Sequence, residues 1–214
     1  MRYLQTSVNF LRELRGNFGK IGAVLPSSRF LAKAMTQPLR EAREPARILE
    51  VGAGTGAITG EIVRCLRADD QFDTVEINDR FVAILQRRLA TDWAGSPQVR
   101  IIHGPIEEVV GDGCYQYVIS CLPLNIFPTT HVRHVFQVFR RLLAPRGTLT
   151  FFEYTWIRQL KTPFVNRRER RRLYRVGRIV ESYVRSCQFR QAHVLANVPP
   201  ATVRHLRFAP AMRA

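Results

Sequence analysis

Lysine is nearly missing from this chain. Of its 33 basic residues only Lys20, Lys33 and Lys161 are lysines, and acidic residues number 17, so the net charge of +16 is carried by arginine. A field of that sign points to an anionic partner, either nucleic acid or an acidic membrane surface. Arginine also grips phosphate through two parallel N–H donors, which lysine cannot do. A GC-rich genome would produce the same bias with no partner at all. Cysteine is sparse as well: Cys65, Cys114, Cys121 and Cys187 form no C-x-x-C pair. That argues against a disulfide framework or a zinc ribbon and for free thiols in a reducing cytoplasm. His131 and His134 are three apart with no further ligand nearby in sequence, so they are expected as core or surface residues, not metal ligands. No apolar run reaches 18 residues, which argues against a spanning helix. Arg2 is followed by no continuous apolar stretch, so no secretory signal is expected. Internal repeats and low-complexity linkers are lacking too. With 46% hydrophobic residues, the 214 positions are expected to form one domain, 1–214.

What is present is organised around Arg47 to Thr59, R-I-L-E-V-G-A-G-T-G-A-I-T. Ile48, Leu49 and Val51 suit a strand buried on both faces. Gly52, Gly54 and Gly56 then break it, and a helix is expected from Ala57 to Arg67. Glycines let a ligand approach the backbone closely, and a helix N-terminus offers free N–H groups. Glu76 closes a second apolar run at about the spacing expected of a residue that accepts the hydroxyls of a ribose. Two ligands fit this unit. Gly52-x-Gly54-x-x-Ala57 is compatible with a dinucleotide. Glu50-Val-Gly-x-Gly-x-Gly56 resembles motif I of the class I S-adenosylmethionine (SAM) methyltransferases, the favoured reading.

Around that unit the period of the hydrophobic pattern switches regularly. Leu4, Val8, Leu11, Leu14 and Phe18 predict an amphipathic helix over 2–18, with arginines on the other side. A glycine-rich loop follows, in which Ser27 or Ser28 can cap a helix reaching about Thr36. Together 1–36 reads as a helical lid. Strands are expected at 72–77, 99–103, 115–120 and 148–154, with helices at 79–90 and 131–143 between them, a pattern that makes a parallel, doubly wound α/β sheet. From Arg158 to Arg185 ten residues are basic and two acidic. Leu173, Val176, Val180 and Val184 keep a helical apolar stripe there, so one face should pack and the other should be strongly positive. Two further strands, 189–196 and 202–208, should close the sheet as an antiparallel pair, bringing it to seven strands.

Three more stretches resemble one family, the bacterial phosphatidylethanolamine N-methyltransferases. They are Ile21-Gly-Ala-Val-Leu-Pro-Ser-Ser28, the S-x-L-P-L-x-x-F run from Ser120 to Phe127, and the N-x-P-P-A-x-V run from Asn197 to Val203. The resemblance implies a Rossmann-like class I fold and an enzyme that methylates the amine of phosphatidylethanolamine toward phosphatidylcholine, leaving S-adenosylhomocysteine (SAH). It implies that SAM is held by Glu50, Gly52, Gly54, Thr55 and Gly56 at the first turn, and by Glu76 and Ile77 after the second strand. Pro105 and Ile106, Ser120, and Ser27 and Ser28 of the loop would complete the cofactor site. Tyr154, Asn125 and Glu153 are the candidates to orient the amine or pass on its proton. The partners implied are a phospholipid substrate and an anionic membrane surface met through 2–18 and 158–185. The protein is thus expected in the cytoplasm, peripherally bound to the inner face of the membrane.

Two departures stand out. The acidic residue that many class I enzymes place near the adenine is absent from His103-Gly104-Pro105-Ile106, which leaves the backbone near Ile106, or Glu107. The fifth strand ends Phe152-Glu153-Tyr154-Thr155, not in the family's F-T-Y-G type. The alternative is a ribosomal-RNA adenine N6-methyltransferase, whose N-[LI]-P-[YF] motif stacks an aromatic ring on a flipped base. Here the corresponding run is Cys121-Leu122-Pro123-Leu124, with no ring. Nicotinamide-dependent oxidation lacks an identifiable hydride-relay residue, and a non-catalytic binding module is equally disfavoured.

Overall fold

The computed structural model of this chain describes residues 28–96, 99–155 and 166–208. The helix expected at 2–18, Ser27 with most of its loop, and the first part of the basic segment 158–185 lie outside those residues.

Five strands take their places from their apolar runs: β1 (Arg47–Val51), β2 (Gln71–Glu76), β3 (Val99–His103), β4 (Tyr115–Ser120) and β5 (Leu143–Tyr154). All five run parallel, and β1 lies between β2 and β4. Two more, β6 (Gln188–Val194) and β7 (Ala201–Arg207), complete one seven-stranded sheet in the order β3-β2-β1-β4-β5-β7-β6. β7 is antiparallel to both β5 and β6, the closing pair expected from the sequence. In β1, Ile48, Leu49 and Val51 are all buried, because both faces of the sheet are covered. The reversal of strand order between β1 and β4 leaves a crevice at the carboxyl ends of the strands, the place where open α/β sheets bind ligands.

One face is covered by α5 (Thr129–Leu142) and α6 (Arg167–Cys187), numbered after α1 (Arg29–Met35), α2 (Gln37–Arg40), α3 (Thr59–Val63) and α4 (Asp79–Ala90). Val132, Val135, Phe136, Phe139 and Leu142 form the buried stripe of α5 at helical spacing. Leu173, Val176, Val180 and Val184 do the same for α6. Phe136 and Tyr183 stack across the two helices, with ring centres 4.3 Å apart. Burial of each such side chain stabilises the fold by roughly 1.5–3 kcal/mol before entropy is counted. Residues of α1 and α3 pack on the other face, where Leu31, Met35, Ile58 and Ile62 meet Ile48, Phe72 and Ile119.

Three boundaries differ from the sequence expectation. α3 is short because its flanks tighten into i→i−3 turns, with Glu61 N–H donating to Ile58 and Cys65 N–H to Ile62. α5 ends at Leu142, and Leu143 already pairs with Tyr115. β5 therefore begins before Pro145, and an irregularity in register absorbs Arg146, whose φ is 64°. Beneath the sheet, Asp73 of β2 accepts hydrogen bonds from Arg100, Arg47 and the Tyr115 hydroxyl, the last at 2.6 Å. Burial alone would raise its pKa, but these donors outweigh it and hold the carboxyl below its ordinary range. Burial, with Asp73 beside it, pushes the Tyr115 phenol up.

Candidate active site

The glycine turn leaves β1 at Val51 and is fixed from both sides. Gly54 has a φ of 57°, and a Cβ built there would meet nothing within 4 Å, so its backbone is open to a ligand. Gly56 has a φ of 83° and no such room: a Cβ would lie 2.8 Å from Trp93 Cη2. Arg88 of α4 stacks on Trp93, 4.7 Å from its ring centre, and donates to the carbonyls of Thr55 and Gly56. Neither Arg88 nor Trp93 was legible as a support for the turn, since nothing in their spacing marks them.

Glu76 ends β2 with its carboxylate turned onto this loop. Oε2 accepts the Gly54 N–H at 2.8 Å, and Oε1 accepts those of Ile77 and Asn78, both at 2.9 Å. A carboxylate has about four acceptor positions, so three backbone donors leave capacity on Oε2. The acidic residue read as a ribose acceptor thus also ties the first turn to the second.

Glu50 is fully buried in the middle of β1. Its Oε2 accepts from the hydroxyls of Thr59, at 2.6 Å, and Thr74, at 3.0 Å. Thr74 is its register partner on β2, a signal that strand alignment alone could have supplied. Oε1 is buried with no hydrogen-bond partner. Burial pushes this carboxyl up to about 7, against the pull of the two hydroxyls. An orphaned acceptor in a dry site is costly unless a ligand uses it. Together with the open space over Gly54, it is what a ligand with an ammonium group and an adenosine would require.

After β4 the chain turns sharply beside the glycines. Cys121 N–H donates to Val51, and Ser120, almost wholly buried, accepts from Leu122 N–H at 3.3 Å. A Cβ on Gly52 would lie 3.1 Å from Leu122 Cδ2, so Leu122 borders the turn. Leu124 does not shape the mouth as its place in the motif suggests: the short turn Leu124–Ile126 rolls it inward, and it is 5% exposed in the core. Burial, with Glu50 and Glu76 near, raises the Cys121 thiol well above its usual value and keeps it protonated. Asn125 is half-buried, and its carbonyl accepts from Arg172 of α6 at 2.8 Å, as does that of Phe127 at 2.6 Å. Arg172 thus belts this segment down, a role hidden in a run of arginines.

The remaining candidates spread along the same end of the sheet. Pro105 precedes the turn Ile106–Glu108, and Ile106 is buried. The Glu107 side chain is buried, 3.9 Å from His131 Nδ1 and 4.0 Å from His134 Nε2, which brings it to a histidine pair far from it in sequence. Burial lowers the His131 pKa, against the pull of Glu107. Tyr154 ends β5 within the cluster that holds Cys121, and burial raises its pKa. Glu153 alternates with it, and pairs with Arg204 at 3.2 Å. Ser28 caps α1 by accepting from Leu31 N–H, and its own N–H donates to Asn197. Ser27 lies outside the described residues. A cleft of about 390 Å³ lined by Arg47, Arg100 and Glu108 opens near the start of β1, away from the glycine turn.

Residues 48–147 match the family described as methyltransferase domain. The fold is shared with an O-methyltransferase from Bacillus cereus in complex with SAH, at a TM-score of 0.67 and 12% identity, covering 95% of this chain and 91% of that one. Residues 48–147 therefore carry a SAM-dependent methyltransferase domain. TomG of Streptomyces achromogenes, solved with SAM, superposes on the methyltransferase at a TM-score of 0.66 and 18% identity, covering 90% and 86% of the two chains. An ornithine lipid N-methyltransferase of Singulisphaera acidiphila is 28% identical over 148 residues, 65% of this methyltransferase and 73% of that protein. A malonyl-[acyl-carrier protein] O-methyltransferase of Geobacter sulfurreducens is 30% identical over 129 residues, which span 44% of its own length.

Proposed function

We propose that this methyltransferase transfers the methyl group of SAM to the primary amine of a phospholipid head group, phosphatidylethanolamine, and to its mono- and dimethyl forms, at a membrane surface. The observation that carries this reading is the segment after β4. Cys121 and Leu122 stand beside the glycine turn, Pro123 follows them, and none of the three carries an aromatic ring. A flipped base would need a stacking surface there, whereas a small aminoethyl group needs only a snug aliphatic wall. The lipid N-methyltransferase among the relatives supports the same class of substrate.

Bound SAM supplies an electrophilic methyl on a sulfonium. Glu50 Oε1 would accept from its ammonium, Glu76 Oε2 from a ribose hydroxyl, and the open backbone at Gly54 would lie against it. Attack by a neutral amine moves one positive charge from donor to product, so the protein's part is mainly alignment. Cys121, held as a thiol, does not compete for the methyl. The amine must shed a proton first, which for a lysine-like pKa costs on the order of 4 kcal/mol at neutral pH. Tyr154, beside Cys121, or Asn125, held by Arg172, would orient that amine or pass its proton to water. Glu153, already paired with Arg204, is the least available of the three.

On the anionic surface, each exposed arginine near the leaflet contributes about 1 kcal/mol. Arg167, Arg168, Arg170 and Arg171 face solvent on the first turns of α6, at the end of the sheet where the site opens. No helix among the described residues is long and apolar enough to cross a membrane. The same arginines favour RNA as the second reading, which the aliphatic segment after β4 opposes.

Supplying labelled SAM to vesicles of pure phosphatidylethanolamine and phosphatidylglycerol, then separating the lipids, tests the substrate. Label should appear in mono-, di- and trimethylated head groups. Label only in ornithine lipid, offered in a parallel vesicle, would keep the lipid class and replace the substrate.

A further inference from the structure

The turn between β6 and β7 carries large aliphatic side chains into solvent at the rim of the active site. Ala201, which opens β7, pairs with Tyr154 at the end of β5, so residues 195–200 stand at the same end of the sheet as the glycine turn. Leu195 is 74% exposed and Val198 is 69% exposed. Their backbone is nonetheless fixed. The Asn197 side chain donates to the Pro199 carbonyl at 2.8 Å, and Thr155 N–H donates to Pro200 at 2.8 Å. Asn197 also accepts from Ser28 N–H, and two residues further on Phe30 is 47% exposed with the Arg29 guanidinium 5.0 Å from its ring centre.

We propose that this rigid tip, Leu195 and Val198 with Phe30 beside it, is a membrane-insertion element that seats the mouth of the site on an anionic bilayer. Exposed aliphatic groups on a braced turn have no packing role to explain them, and a cluster of this kind marks an interaction surface. The occupant follows from the charges around it. Arg29 flanks the tip, and the arginine face of α6 begins at the same end of the sheet, so apolar insertion and anionic head groups are satisfied together. A rigid tip also fixes depth: the hydrocarbon takes the two side chains while the mouth stays at the level of the head groups. The inference rests on the lipid reading above, yet its surface can be tested apart from the chemistry.

The test compares the full chain with its Leu195→Ser/Val198→Ser variant on vesicles of phosphatidylcholine and phosphatidylglycerol, which hold no phosphatidylethanolamine. Each aliphatic side chain moved into lipid is worth roughly tenfold in partition. Sedimentation with the vesicles should fall about tenfold or more in the variant, and the difference should persist at high salt, because insertion is not screened. Thermal midpoint, SAM affinity and methylation of detergent-dispersed phosphatidylethanolamine should stay as in the parent. Unchanged sedimentation of a folded variant would overturn the proposal and leave the tip to a protein or RNA partner. Loss of vesicle binding from a parent that methylates no lipid would support the insertion element while removing the substrate assignment.

Discussion

Ser28 and Asn197 are 169 positions apart in the chain, and the Ser28 N–H lies 3.0 Å from the Asn197 side-chain oxygen to which it donates. The loop entering α1 and the turn between β6 and β7 are thereby locked at one edge of the active site. Asn197 is buried, and it makes this bond and the one to Pro199 with a single amide.

Replacing Asn197 by Ala therefore strands two half-buried partners at once. Asn197→Ala should lower stability by about 1–3 kcal/mol. Urea unfolding of parent and variant measures it; a change under a few tenths would make the lock dispensable.

Gly54 and Gly56 should part company on substitution. Gly54→Ala meets only the left-handed backbone penalty of about 1–2 kcal/mol, since no atom stands in the way. It should fold but lose most SAM affinity, because the methyl occupies the space left for the ligand. Gly56→Ala adds a collision with Trp93 to the same penalty and should cost about 3 kcal/mol or more. Calorimetric SAM binding and thermal midpoints separate the two. A Gly54→Ala protein that binds SAM normally would move the ligand elsewhere.

Glu50 ties function to pH. A carboxyl whose pKa rises from 4.5 to about 7 on folding favours the fold most where it is protonated in both states, below 4.5. That contribution fades as pH climbs through about 7 and is gone above it, a change of about 3 kcal/mol for a group this buried. Glu50→Gln keeps the shape without the charge. The variant should match or exceed the parent's stability at pH 8, flatten its decline between pH 5 and 7, and bind SAM poorly. Equal pH slopes in parent and variant would contradict this assignment.

Arg172→Ala releases the carbonyls of Asn125 and Phe127 from α6. If residues 125–127 position the acceptor as proposed, kcat should fall roughly tenfold while SAM affinity changes little. Equal losses in both would mean that the belt supports the whole site.

The strand-turn-helix unit at Arg47–Thr59 was legible because three features coincide there: an apolar strand, spaced glycines and Glu76 downstream. The parallel sheet followed from the alternation of periods, and its antiparallel close from two strand-like runs joined by Val198-Pro199-Pro200-Ala201. What escaped were contacts set by three-dimensional neighbours. Arg88 reaches the glycine carbonyls from a different helix, and Arg172 looks in sequence like any other arginine of a solvated face. The burial of Leu124 was hidden because a motif gives a position along the chain, while a short helical turn decides which way the side chain points. The start of β5 was misplaced since Pro145-Arg146-Gly147 has the composition of a plain turn, yet its flanks pair with β4 across an irregular register.

The account stands or falls on where the methyl goes. The direct measurement is incubation of the full chain with labelled SAM, total membrane lipid and total RNA together, followed by phase separation and counting of each fraction. The account predicts label in the lipid phase, released with the amine-bearing head group on phospholipase treatment, and background in RNA. Label in RNA with none in lipid would contradict it.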